Sequence, residues 1–374
     1  MMEKKKKLTV HNKSDKPDNI VISDQALIEQ CLEVEAQLPV FMKDFFIYLK
    51  NAVALTTRHA YLNDILFFCK YLVLEGSITA AKNPYEISLD EFNKITARVV
   101  NYFIGEYCSR YIVENETSKK IIENHNPSLA RKKSSLSVLF KYLYRDEKLK
   151  NNITDGFNPI RLPKPQPDAI KRLEIDEVAR LLDVLETGAA FTDKEKIYWE
   201  KTRLRDRAII ILFVTYGLRL KELNQLNISS FNFSRGEFKI YRKRGKEVLM
   251  PINRTCEKVV KEYIELERPK SVLLNEESKD ALFLSLQKTR MTTRAIRNLV
   301  KKYTAYVLGT TVENGYSPHK LRATAATSLI QQGFSIYDVQ NLLDHENVTT
   351  TQLYAAHKKN VKREIVNNFE WLDE

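Results

Sequence analysis

The spacing of apolar side chains divides the chain into two blocks. In the first, about 24–150, Phe41, Phe45, Tyr48 and Leu49 recur at helical spacing. Tyr61, Ile65, Phe68, Cys69 and Leu72 do the same, with Thr56 or Thr57 placed to cap the run. A third helix is expected over about 89–112. A fourth is expected from Ser128, burying Leu136, Leu139, Phe140 and Leu143, with 114–127 as a polar loop before it. Asn158-Pro159 and Leu162-Pro163-Lys164-Pro165-Gln166-Pro167 resist both helix and sheet and predict an extended linker.

The second block is also mainly helical, with one β excursion. Leu204 to Tyr216 is almost continuously apolar and predicts a buried helix stopped by Gly217. Phe238 and Ile240 alternate on one arm of a hairpin, and Val248, Met250 and Ile252 on the other. Arg242-Lys243-Arg244-Gly245-Lys246 forms its basic tip. Helices are expected at about 254–268, 292–307, 318–332, 336–344, 350–358 and 361–372. The predicted organisation is a mobile basic tail 1–23, a helical domain 24–155, a linker 156–167 and a second domain 168–374. The fold class is mainly α with a small β-hairpin or sheet.

Composition narrows the function classes. The 374 residues give room for two domains, and 43% hydrophobic with 29% charged residues is a globular profile. No apolar run approaches the roughly 20 residues that span a bilayer. The start, Met-Met-Glu-Lys-Lys-Lys-Lys, lacks a signal-peptide core, so a cytoplasmic protein with no membrane partner is expected. Cys31, Cys69, Cys108 and Cys256 form no CxxC pair and read as reduced core residues. Lys plus Arg outnumber Asp plus Glu by 60 to 48, which points to a polyanionic partner.

Several residues are candidates for chemistry. Ser317 suits an N-cap and Pro318 the first helical position, so His319 and Arg322 fall on one face near a helix start. Arg219 follows the glycine that ends the buried helix, and Glu222 lies three residues on, placed to orient it. Lys243 sits in the hairpin tip, and a lysine there can reach a substrate held elsewhere. His345 ends the helix 336–344, and Tyr354 comes nine residues later. Singly, each has a plainer explanation: a solvated turn, a helix-ending charge, a half-buried tyrosine.

Together they form an ordered set: Arg219, Lys243, His319-x-x-Arg322, His345, Tyr354. The set resembles the tyrosine site-specific recombinases, the family of phage integrases and Xer recombinases. The gaps of 24 from arginine to lysine, 26 between the histidines and nine to the tyrosine fit the family. Two positions depart from it. Asp344 stands where glycine usually precedes the second histidine, and Ala323 where histidine often follows the second arginine.

The resemblance implies a helical, SAM-like core-binding domain joined to a catalytic domain as a C-shaped clamp on DNA. It implies transesterification at a phosphodiester. Tyr354 attacks phosphorus to give a 3′-phosphotyrosyl link and a free 5′-hydroxyl, so no ATP is required. Arg219 and Arg322 meet charge on the non-bridging oxygens, Lys243 protonates the leaving oxygen, His319 assists proton transfer and His345 bonds the phosphate. No cofactor and no metal are expected. The implied partners are double-stranded DNA with paired inverted half-sites and further copies of the chain, as a tetramer on two DNA sites, with room for an accessory protein. The apolar positions Val361, Ile365, Val366, Phe369 and Leu372 are expected to dock on a neighbouring protomer. Arg294, Arg297 and Lys301, on a helix that Thr293 is placed to cap, are expected to contact DNA. So are Arg58, His59, Arg131, Lys132 and Lys133 in the first domain, and Arg242 and Arg244 at the hairpin. The competing readings are a catalytically idle DNA-binding regulator of the same fold and a type IB topoisomerase. The Lys- and Glu-rich segment 186–203 is similar to the insertion of the single-recombinase XerS type, which implies chromosome dimer resolution beside mobile-element integration, excision or inversion.

Overall fold

In the computed structural model the chain divides into two compact units, Met1–Lys164 and Pro165–Glu374. The structure describes residues 16–115, 118–162, 171–242 and 245–344. Lys243, Arg244, His345, Tyr354 and the helices expected after 350 lie outside the described residues.

The first unit holds α1 (Asp18–Glu35), α2 (Lys43–Ala52), α3 (Leu55–Glu75), α4 (Leu89–Phe92), α5 (Ala97–Tyr102), β1 (Arg110–Asn115), β2 (Ser118–Glu123) and α6 (Asn126–Arg145). Its core forms where α3 meets α6: Ile65, Phe68, Cys69 and Leu72 are buried with Leu136, Leu139, Phe140 and Leu143. Phe140 anchors this layer, stacked on Phe92 at 5.2 Å and edge-on to Phe68 at 6.2 Å.

Four expectations need correction here. The expected mobile tail overlaps α1, which starts at Asp18 because Ile20 buries its side chain and Pro17 presets the entry. Helix α3 is entered from Ala54, so Thr56 and Thr57 lie inside its first turn. The single helix expected over 89–112 is broken after Phe92. There the Asn93 amide donates to Leu89 O at 3.0 Å and Lys148 O at 3.1 Å and accepts from Lys150 N at 3.0 Å, pinning the backbone to the end of α6. The expected polar loop 114–127 contains β2 of an antiparallel hairpin, with Ile112 opposite Ile121 and Glu114 opposite Lys119. Both isoleucines are about half exposed, so no burial alternation marks these strands in the sequence.

The second unit runs through α7 (Ile175–Thr187), α8 (Asp193–Glu200), α9 (Arg203–Tyr216), α10 (Leu220–Asn224), β3 (Phe231–Asn232), β4 (Glu237–Tyr241), β5 (Glu247–Pro251), α11 (Arg254–Glu262), α12 (Glu276–Lys279), α13 (Thr293–Leu308), α14 (Pro318–Gln331) and α15 (Ile336–Leu343). Helix α9 is the axis. Ala208, Ile209, Ile210, Leu212 and Phe213 are fully buried on it, under α7, α11 and α14. An all-round apolar helix can only be stable in that position. Strands β3, β4 and β5 form one antiparallel sheet, with Phe238 opposite Met250 and Ile240 opposite Val248. The Tyr216 hydroxyl ties α9 to this sheet, donating to Pro251 O at 2.9 Å and accepting from Asn253 N at 3.0 Å.

The segment 186–203 is folded around α8, which Thr192 caps by accepting from Glu195 N. Trp199 fastens it to α7 by donating Nε1–H to Leu185 O at 3.1 Å. Cys31, Cys69, Cys108 and Cys256 are free and buried, and burial pushes the Cys69 thiol up to about 12. No described helix is long and apolar enough to cross a membrane.

Candidate active site

The site is assembled around the C-terminal end of α15. A helix end leaves its last carbonyls without intrahelical partners and carries partial negative charge. Three arginines from distant parts of the second unit fill those vacancies, on three consecutive residues. Arg242 donates to Leu342 O at 2.5 Å, Arg322 to Leu343 O, and Arg219 to Asp344 O at 2.8 Å.

Local sequence explains how each arrives. Gly217 ends α9 in the left-handed conformation, φ 57°, and a Cβ there would lie 2.6 Å from Leu343 Cδ2. Glycine permits both the turn and the approach of α15 without strain. Buried Leu218 then anchors the chain, and Arg219 becomes the residue from which α10 starts. Glu222, 4% exposed, accepts from Arg219 N and from Arg219 Nη1, each at 2.7 Å. A buried carboxylate needs charged or hydrogen-bonded partners, and here it fixes the guanidinium that supplies them.

Arg322 lies on α14, which Pro318 opens after Ser317. Ala323 and Ala326 pack against Val339 and Leu343, which brings α14 close to α15. Arg322 is itself 4% exposed and donates a second bond, from Nη1 to Gly217 O at 2.6 Å. One side chain therefore holds both the turn that presents Arg219 and the end of α15. His319 is exposed near the start of the same helix. Desolvation, then the charges of Lys320 and Arg322, hold the imidazole below its ordinary 6.5, which favours the neutral form at pH 7.

Asp344 closes α15 at φ 52° and ψ 53°. This is the conformation that makes glycine the easy residue here, and aspartate tolerates it better than most. Its carboxylate faces Arg219 Nη1 at 3.7 Å, Arg242 Nη1 at 3.7 Å and Lys246 Nζ at 3.4 Å. Desolvation pushes this carboxyl up, but Arg242, Lys246 and Arg219 outweigh it and keep it below its ordinary 3.8. Arg242, Lys246, Glu247, Val248, Gln340, Asn341 and Asp344 line a polar cleft of about 390 Å³. The sequence marked neither Arg242 as a strut nor Asp344 as a counter-ion. Both depend on partners about a hundred residues away.

Chemically, Arg219, with its side chain 34% exposed, offers a guanidinium fork beside the backbone carbonyls that buried Arg322 holds from within. Such forks match the paired oxygens of a phosphate. Among the described residues no group of His, Cys, Asp and Glu converges as a metal site.

Several expected DNA contacts are spent on structure. Arg58 is buried on Glu35, Nη2 to Oε1 2.6 Å. Lys132 is buried against Asp64 at 3.1 Å and lies 4.8 Å from the Phe67 ring centre. Asp64 is itself 3% exposed and draws both Lys132 and Arg131, although Arg131 stays 44% exposed. Lys133 donates to Asn158 O at 2.7 Å. His59 is half-buried beside Asn63. Arg242 is buried, so the DNA contact expected of it is replaced by its bond to α15. Arg294 and Arg297 are exposed on α13, which Thr292, one residue before the expected Thr293, caps. Lys301 is half-buried and donates to Glu313 O at 2.7 Å.

Comparison with known proteins identifies the family. Residues 171–361 match the phage integrase family. The chain is 32% identical over 318 residues to the tyrosine recombinase XerC of Natranaerobius thermophilus, covering 82% of this chain and 98% of that one. It is 30% identical over 336 residues to XerC of Caldanaerobacter subterraneus subsp. tengcongensis, covering 88% and 86%. Among solved structures it is similar to the XerH site-specific recombinase bound to palindromic difH substrate, with TM-score 0.60, 20% identity and coverage of 96% and 90%. A lambda integrase dimer bound to a COC′ core site aligns with TM-score 0.54, 13% identity and coverage of 89% and 97%. The chain therefore belongs to the phage integrase family as a Xer-like tyrosine recombinase.

Proposed function

We propose that the protein cleaves and rejoins double-stranded DNA at a specific site, through a 3′-phosphotyrosyl intermediate on Tyr354. The observation that carries this reading is the convergence of Arg219 and Arg322, one fixed by Glu222 and the other by Gly217 O. As phosphorus becomes five-coordinate, charge builds on its non-bridging oxygens, and preorganised guanidinium donors favour that state over the ground state. Lys243 protonates the departing 5′-oxygen. Neutral His319 accepts or relays a proton, and His345 hydrogen-bonds the phosphate. The bond energy stays in the tyrosyl ester, so a hydroxyl from a partner strand can reverse the step without ATP.

The DNA-bound complexes of XerH and lambda integrase support double-stranded DNA as the partner. Paired inverted half-sites and a tetramer on two such sites follow from this reading, with the segment after Tyr354 docking on the neighbouring copy. Exposed Arg294 and Arg297 on α13 supply DNA contacts. The biological role is chromosome dimer resolution or the integration and excision of a mobile element. The similarity to XerC proteins favours the first.

The test is covalent trapping. Purified protein is incubated with fragmented DNA of its source and denatured in SDS, and the attached fragments are sequenced. Wild type should retain discrete sites that Tyr354→Phe does not. Equal retention by both would instead support the idle-regulator reading. Fragments near the replication terminus would assign dimer resolution, and fragments beside the gene a mobile element.

A further inference from the structure

Arg219 meets two carboxylates of different character. Glu222 is buried and bonded at 2.7 Å, a permanent partner. The Asp344 side chain is 27% exposed and stands 3.7 Å from Arg219 Nη1. It is shared with Arg242 at 3.7 Å and Lys246 at 3.4 Å. Lys246 Nζ donates to Oδ1 at 3.4 Å, a long bond, and the two guanidinium approaches are longer still. The carboxylate is thus held by the combined field of three cations rather than by one committed donor. It lines the polar cleft. Glycine, the usual residue at this position in the resemblance noted above, has no charge to place there. The αL backbone that favours glycine is present all the same.

We propose that Asp344 is an intramolecular stand-in for the substrate phosphate. Its carboxylate neutralises Arg219 and the cations beside it until DNA displaces it, so that the phosphate engages fully only when the DNA is already held by other contacts. This inference rests on the reading of Arg219 and Arg322 as phosphate-binding groups. A carboxylate and a phosphate cannot both lie against one guanidinium edge without repulsion. Either the Asp344 side chain swings toward solvent, which its exposure permits, or the phosphate binds off-centre. The contact thereby filters weakly bound DNA without touching a base.

The test uses full-length wild type, Asp344→Asn and Asp344→Gly on a nicked suicide duplex carrying the recombination site, in single-turnover cleavage over a salt series. Asparagine keeps the αL preference and the shape and removes only the charge. Thermal unfolding checks that each variant is folded, and the glycine variant covers a failure of the asparagine one. The expected result is that both variants lower the DNA concentration for half-maximal cleavage by about fivefold, the size of one partly exposed charge pair. The plot of log affinity against log salt should also steepen by up to about 0.9, as one more phosphate is neutralised. A merely structural role would not move that slope. Cleavage that is unchanged or slower in both folded variants overturns the inference. Arg219→Ala and Arg322→Ala, run in parallel, separate the two levels. If they abolish cleavage while Asp344→Asn behaves as wild type, only the inference on Asp344 fails. If they cleave as wild type does, the phosphate-site reading fails with it.

Discussion

Arg322 donates to the backbone oxygen of Gly217 at 2.6 Å, across 105 residues of sequence. This bond joins the turn that presents Arg219 to the helix that presents Arg322, so neither arginine is placed independently. The second fork of Arg322 goes to Leu343 O and adds the end of α15 to the same unit. The consequence is strong coupling: a change at any of the three positions should be felt at the others.

Glu222→Gln tests the orientation of Arg219. The amide keeps the size of the side chain but loses the charge that fixes the guanidinium. Cleavage in single turnover should fall by roughly 10²-fold, the size of losing one preorganised donor. Gel-shift affinity should stay within about threefold, because the DNA contacts proposed on α13 are untouched. Equal losses in both assays would show that Glu222 acts on the fold as a whole.

Gly217→Ala should destabilise the second unit by about 2–4 kcal/mol. The left-handed conformation costs an alanine about 1 kcal/mol. The clash with Leu343 Cδ2, 2.6 Å from the new Cβ, adds about 1–3 kcal/mol of overpacking. In urea unfolding, Gly217→Ala/Leu343→Ala should lose less than the sum of the two single changes, since the truncated leucine removes the clash. Strict additivity would disprove the contact.

Lys132→Met and Asp64→Ala separate packing from DNA binding in the first unit. Asp64→Ala leaves the Lys132 ammonium buried without its carboxylate and should cost about 3–5 kcal/mol. Lys132→Met should leave the salt dependence of DNA binding unchanged. Arg294→Ala, on an exposed position of α13, should reduce that slope by about 0.9. A slope change for Lys132→Met would return this lysine to the DNA-contact set.

The pH dependence of cleavage should carry the signature of His319. Desolvation and the charges of Lys320 and Arg322 hold its folded-state pKa below the ordinary value, so the neutral form predominates at pH 7. Protonation as pH falls through that value removes the proton acceptor. The single-turnover rate should therefore hold level around neutral pH and decline on acidification, and His319→Gln should be slower and flat across that range. An acidic limb that persists in His319→Gln would assign the titration to another group.

Much of the second unit was legible because its elements differ sharply in pattern. The apolar run of α9, the alternation of β4 and β5 around a basic tip and the Ser317-Pro318 start of α14 each have one good interpretation. The order of Arg219, His319 and Arg322 was legible for a different reason, the resemblance to a family. What escaped the sequence depends on distant partners. Arg242 stands among charged neighbours in the chain, yet it is buried because α15 supplies a carbonyl to receive it. The pairing of Glu114 with Lys119 becomes visible only once the hairpin register is known. Lys132 reads as one of three surface cations until the buried Asp64 is found beneath it. Asn93 breaks a helix that periodicity alone continues, because its amide finds better partners beyond α6.

The most direct measurement of the central claim is to map the covalent adduct itself. A nicked duplex carrying the trapped site is incubated with wild-type protein, the complex is digested with protease and nuclease, and the linked peptide is sequenced by mass spectrometry. The predicted result is a nucleotide joined through its 3′-phosphate to Tyr354, with a free 5′-hydroxyl on the released strand. An adduct on another side chain, linkage through a 5′-phosphate, or efficient cleavage with no adduct would contradict the account.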